Sequence, residues 1–108
     1  MNDLLKKNCV ACQGGIPALK EGEIKKYLSE IKDWHVIDNH HIEKTFEFPD
    51  FASALSFVNK VGALAEQEGH HPNISFTWGK VEISIWTHKI NGLHENDFIL
   101  AAKVDTLS

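Results

Sequence analysis

Cysteine is scarce in this 108-residue chain, with Cys9 and Cys12 as its only two. A lone Cys-x-x-Cys cannot staple a whole domain, which excludes a disulfide framework and leaves the fold to hydrophobic burial. Long apolar runs are lacking too. No stretch approaches the roughly 20 residues needed to cross a bilayer. The opening Met1-Asn2-Asp3-Leu4-Leu5-Lys6-Lys7 has no apolar segment of the signal-peptide kind. A cytoplasmic location with no membrane partner is therefore expected. There is also no basic surplus: 11 Lys and Arg stand against 15 Asp and Glu, for a net charge of −4. A surface for nucleic-acid phosphates needs clustered cations, so no nucleic-acid partner is expected. Internal linkers, repeats and low-complexity segments are missing as well.

What remains is the composition of one ordinary domain. At 43% hydrophobic residues, the chain has enough apolar surface for a single packed core. Residues 1–18, with Gly14-Gly15-Ile16-Pro17, carry no sustained period and read as an N-terminal arm that docks on the domain or stays mobile. In it Cys9 and Cys12 read as ordinary thiols, with a half zinc site completed by a second subunit or a labile disulfide as alternatives.

From about residue 19 a single domain begins and runs to residue 108. Ile24, Tyr27, Leu28 and Ile31 fall at i, i+3, i+4 and i+7, which predicts a first helix. Trp34–Ile37 and Ile42–Phe48 alternate around the polar turn Asp38-Asn39-His40-His41, which predicts a hairpin. After Pro49 the period lengthens to that of a helix. Phe51, Ala54, Leu55, Val58, Val61, Gly62 and Ala65 mark its apolar face, with Asp50 as N-cap and Gly69 as the left-handed residue that closes it. Asn73–Trp78 and Val81–His88 then form a second hairpin about Gly79-Lys80, with Ile74, Phe76, Trp78, Val81, Ile83 and Ile85 on its buried face. Leu93 to Leu107 is a last helix, with Asp97 as a capping acid in His94-Glu95-Asn96-Asp97. The order αββαββα implies an α+β fold, a four-stranded antiparallel sheet with helices packed on one face.

Glu66-Gln67-Glu68-Gly69-His70-His71-Pro72 places two adjacent histidines just beyond a helix end. A two-residue turn at 79 and 80 would set Trp78 opposite Val81 and, by the same count, His71 opposite His88, on the polar face shared with Ser75, Thr77, Ser84 and Trp86. Pro72 has no amide to donate, so the last rung of such a ladder would be splayed. Histidine suits proton transfer near neutral pH because its unperturbed pKa is about 6.5. His35, His40, His41 and His94 read as surface residues. A metal site built from them with the His70-His71 pair is not expected, because matching Cys or carboxylate ligands are missing.

The spaced set Glu66, His70-His71-Pro72, Trp78, His88 and Asp97 resembles the signature of pterin-4a-carbinolamine dehydratases. The resemblance extends over roughly residues 19–107, through Trp34, Phe46-x-Phe48-x-Asp50-Phe51 and the last helix. It departs at Asn73-Ile74-Ser75, where animal members carry an aromatic residue, and at His94 and Lys20, where hydroxyl residues are common. The resemblance implies dehydration of 4a-hydroxytetrahydrobiopterin, or a related pterin, to the quinonoid dihydropterin, recycling the cofactor of aromatic amino acid hydroxylases. It implies no metal or redox cofactor, since the pterin is the substrate. It makes His70 and His88 the acid/base pair, His71 a group that orients the pterin, and Glu66 a carboxylate that holds a histidine. It places Gly69, His70, His71, Trp86, Thr87, His88 and Lys89 in contact with substrate, with Trp86 offering an aromatic surface. A homodimer or homotetramer is implied, and a non-catalytic dimerisation or assembly factor is the alternative role.

Overall fold

A computed structural model describes Leu4 and residues 17–108. Of the N-terminal arm, Leu4 is buried in the core while Cys9 and Cys12 lie outside the described residues. The elements follow the order αββαββα: α1 (Glu21–Leu28), β1 (His35–Ile37), β2 (His41–Glu47), α2 (Phe51–Glu68), β3 (Asn73–Thr77), β4 (Lys80–Ile85) and α3 (Glu95–Asp105). A short 3₁₀ turn, His88–Ile90, is inserted between β4 and α3. The four strands form one antiparallel sheet in the order β1-β2-β4-β3, so the molecule is an α+β fold. No helix among the described residues is long and apolar enough to cross a membrane.

Alternation along the two central strands creates the core. Ile42, Phe46, Val81, Ile83 and Ile85 are buried on the helix side, while Thr45, Glu47, Lys80 and Glu82 are exposed on the other. Helix α2 covers this surface with Ala54, Phe57, Val61 and Ala65. Phe57 sits between Phe46 and Phe48, its ring centroid 4.7 and 5.1 Å from theirs. The expected apolar face of α2 is rotated, since Phe51 and Leu55 are exposed and Phe57 takes the central position. The helix carries apolar residues on two sides, and only contact with the sheet selects one of them. Helix α3 is buried on nearly all sides through Phe98, Ile99, Leu100, Ala101, Ala102 and Val104, because the sheet, α1 and α2 surround it.

The second hairpin differs from expectation in register. Thr77 pairs with Lys80, Phe76 with Val81 and Asn73 with Ser84, so the turn is Trp78-Gly79 instead of Gly79-Lys80. Trp78 leaves the core face for the turn and is 64% exposed. The cause is Phe48, whose N–H donates to the Gly79 carbonyl at 2.8 Å and whose own carbonyl would lie 2.7 Å from a Cβ at position 79. Only glycine fits there, and the turn centres on it. The parity of the faces is unaffected by this shift of one rung. His71 does not pair opposite His88, however, because β3 starts at Asn73 and β4 stops at Ile85.

Candidate active site

Helix α2 ends as its sequence dictates. Gly69 adopts φ 65° and ψ 26°, a left-handed conformation, and its N–H donates to the Ala65 carbonyl. The reversal turns His70 and His71 back along the end of the sheet. On the facing side, Thr87 N–H donates to the Gly92 carbonyl at 2.8 Å, which closes a small loop that carries His88 and Lys89. Between the two segments lies a cleft of about 270 Å³ lined by Gly69, His70, His71, Thr87, His88 and Lys89. It is close to the lower end of ordinary small-ligand sites, a size suited to a flat bicyclic molecule. Larger depressions of about 430 and 510 Å³ run along α2, but they are lined by alanine, serine and lysine among others and contain no histidine.

Each histidine of the 70–71 pair has its own carboxylate. His70 Nε2 lies 2.6 Å from Asp97 Oδ1, with the Asp97 side chain fully buried. Asp97 also accepts from Thr87 Oγ1 at 2.9 Å and from the His94 amide at 2.8 Å, both on Oδ2. A carboxylate with three donors around it offers only acceptors, so His70 Nε2 carries the proton and Nδ1 is the nitrogen left for chemistry. The capping role expected for Asp97 is present, and the structure adds a second role that its position at the helix start concealed. His71 Nε2 is hydrogen-bonded to Glu66 Oε2 on the exposed rim. Glu66 sits in the last turn of α2, which accounts for its reach across the reversal at Gly69.

Of the residues expected to touch substrate, Trp86 stands apart from the cleft lining. Its indole stacks in parallel on His88, with centroids 4.5 Å apart and planes at 8°. His40 and His41, expected as plain surface residues, are half-buried with ring centroids 5.2 and 5.7 Å from Trp86. The sequence carried no signal for this contact, because it depends on β2 pairing with β4, strands that are not neighbours in the chain. His94 caps α3, its Nδ1 accepting from the Asn96 amide at 3.3 Å, and His35 is exposed. Among the described residues no three His, Cys, Asp or Glu side chains converge as a metal site would require.

Known proteins resemble this chain over most of its length. A protein of Rubrobacter xylanophilus, provisionally named a pterin-4-alpha-carbinolamine dehydratase, is 50% identical over 107 residues, covering 99% of this chain and 100% of its own. One from Alkaliphilus metalliredigens with the same provisional name is 52% identical over 106 residues, covering 97% and 96%. Among solved structures, a transcriptional coactivator/pterin dehydratase from Brucella melitensis superposes with a TM-score of 0.79 at 30% identity, over 83% of this chain and 97% of that one. A pterin dehydratase-like protein identified as a RuBisCO assembly factor in the alpha-carboxysome superposes with a TM-score of 0.60 at 30% identity, over 69% and 88%. A family profile described as pterin 4 alpha carbinolamine dehydratase matches residues 17–107, nearly all of the described residues. With the family profile matched over residues 17–107 and half its residues shared with a relative covered from end to end, the chain belongs to the pterin 4 alpha carbinolamine dehydratase family.

Proposed function

We propose that the protein dehydrates a 4a-hydroxytetrahydropterin to the quinonoid dihydropterin. The observation that carries this reading is the cleft in which His70, His71 and His88 meet, with Asp97 behind the first of them. The reaction breaks the C4a–O bond and makes a C4a–N5 double bond. A proton must reach the leaving oxygen, so that water departs, and another must leave N5, whose electron pair forms the new bond. The proton count balances, and the chemistry asks only for an acid and a base.

In this proposal His70 accepts the N5 proton at Nδ1. Asp97 at its other nitrogen holds the ring orientation and stabilises the imidazolium that forms. His88, across the cleft, delivers the proton to the departing hydroxyl. His71, with Glu66, orients the pterin, and Gly69, Thr87 and Lys89 complete its surroundings. No metal or redox cofactor has a role in this scheme. The same reading has the enzyme acting in the cytoplasm as a homo-oligomer and serving an aromatic amino acid hydroxylase.

A second reading, an assembly or dimerisation factor without catalysis, draws support from the solved relative identified as a RuBisCO assembly factor. The two readings separate in a direct assay that follows quinonoid dihydropterin by absorbance. The dehydratase reading expects wild type to exceed the spontaneous rate. It also expects His70→Ala and His88→Ala each to lose about 10²–10⁴ in kcat, and His71→Ala to act mainly on KM. A wild-type rate equal to the spontaneous one, or alanine variants as fast as wild type, would leave the assembly reading in its place.

A further inference from the structure

Two of the three cleft histidines are oriented by carboxylates, His70 by Asp97 and His71 by Glu66. His88 is held differently. Among the described residues no hydrogen bond reaches its ring, and the contact that defines its plane is the parallel stack on Trp86. The outer torsion of a histidine side chain is soft, so an exposed imidazole without a partner would sample many orientations. A group that must meet one oxygen of the substrate needs a narrower distribution than that.

Trp86 is itself in contact with two further histidines. It follows directly on the last residue of β4, just beyond the Ile42↔Ile85 pair, and packs in part against the core. His40 and His41 lie against it with planes tilted by 43° and 55°. The two histidines are locked together, with ring planes at 82° and Nδ1 atoms 3.0 Å apart. His40 Nε2 donates to Asn91 Oδ1 at 2.9 Å, so its Nδ1 is the acceptor and His41 Nδ1 the donor in that link. Asn91 closes the circuit. It takes the left-handed conformation, φ 49°, and its N–H donates to the His88 carbonyl at 3.2 Å. One imidazole, His40, therefore bears on both the side-chain support of His88 and the backbone loop that carries it.

We propose that Trp86 is a positioning residue for His88, and that the His40–His41 pair with Asn91 anchors that support. The proposal rests on the dehydratase reading for its catalytic consequence. It changes the role expected for Trp86: with His88 lying over the indole, the exposed face of the imidazole is the surface offered to a flat substrate, and the indole is its backing.

The test combines NMR of histidine imidazole protons, at one fixed pH, with steady-state kinetics. Ring current from the indole should hold the His88 Cδ2–H and Cε1–H signals upfield. Trp86→Leu should release them downfield, and Trp86→Phe should keep much of the upfield shift. Trp86→Leu should lower kcat about tenfold with KM changed less than about twofold, the split expected of lost alignment instead of lost binding, with Trp86→Phe recovering most of the loss. His40→Ala, at a half-buried position that is not among the buried core residues, should broaden the His88 signals and lower kcat by less. It carries the same readout if Trp86→Leu does not fold. His88 signals that ignore both substitutions would overturn the proposal, as would a Trp86→Leu enzyme with raised KM and wild-type kcat. A wild-type protein without dehydratase activity would sink the functional reading instead, and the NMR arm would still decide whether Trp86 holds His88.

Discussion

At the scale of single residues, Asp97 and Glu66 look alike in sequence and differ sharply in setting. Asp97 is wholly buried and serves His70, Thr87 and the His94 amide at once, whereas Glu66 and His71 meet in solvent. Replacement by the isosteric amide should separate them. Asp97→Asn presents an NH₂ group among three donors, so it should lower kcat/KM by about 10–100-fold through misorientation of His70. It should also cost about 1–3 kcal/mol of stability from donors left unpaired in the interior. Glu66→Gln alters only a solvent-exposed hydrogen bond to His71, so kcat/KM should change by no more than about fivefold. Kinetics and urea unfolding of the two variants give both numbers, and equal losses would contradict this ranking. The histidines themselves are legible in the amino-acid order, because a pair lodged between a helix-ending glycine and a proline has few structural uses. The second role of Asp97 is not legible there: a capping acid and a histidine-orienting acid occupy the same position in sequence, and only the approach of His70 from 27 residues away distinguishes them.

At the scale of elements, α2 matters most, since its C-terminal end delivers both histidines. Its N-terminus is held by Asp50, whose Oδ1 accepts from the Ser53 amide at 2.7 Å. Hydrogen bonds from the Ser53 backbone and side chain hold the Asp50 carboxyl below its ordinary value. The sign follows from linkage. A depressed folded-state pKa contributes stability above the unfolded value of about 3.9, and this is lost as pH falls through the folded value. Asp50→Ala should therefore lower the melting temperature by a few degrees at pH 7, and the difference from wild type should shrink below about pH 4. Asp50→Asn, which also caps helices well, should stay near wild type at pH 7. Thermal unfolding across pH decides it, and a pH-independent difference would show the cap to be worth nothing as a charge. Both helix ends are readable in sequence because caps are local. The hairpin turn is not: Gly79 can occupy either central position of a two-residue turn, and the carbonyl of Phe48, 31 residues earlier, selects one.

At the scale of the whole molecule, the site depends on α2 being seated on the sheet through one aromatic cluster. Phe57, packed between Phe46 and Phe48, is the centre of that contact. Phe57→Ala should cost about 3–5 kcal/mol, against a total of about 5–15 kcal/mol for a domain. The urea midpoint should fall with the slope unchanged, while kcat of the molecules that remain folded stays close to wild type, because Phe57 is not in the cleft lining. A loss of kcat larger than the folded fraction explains would mean that the core tunes the site directly. The margins are tied in a comparable way: Asp105 on α3 accepts from Trp34 Nε1 at 3.1 Å and from Lys44 Nζ at 2.9 Å, joining the last helix to the first hairpin.

The chain by itself determined the order αββαββα, the caps of α2, the in-and-out parity of the strands and the spacing that carries His70, His71 and His88. All of these depend on neighbours within a few residues, or on a period of two or 3.6. Tertiary structure alone decided which of two apolar sides of α2 faces the sheet, the rung at which the second hairpin turns, the carboxylate that each histidine receives, and the stack of Trp86 on His88. Each of those is a choice between local arrangements of nearly equal energy. The choice falls to a contact made far along the chain, where burial, a carbonyl with no room for a Cβ, or a hydrogen-bond partner makes one arrangement lower.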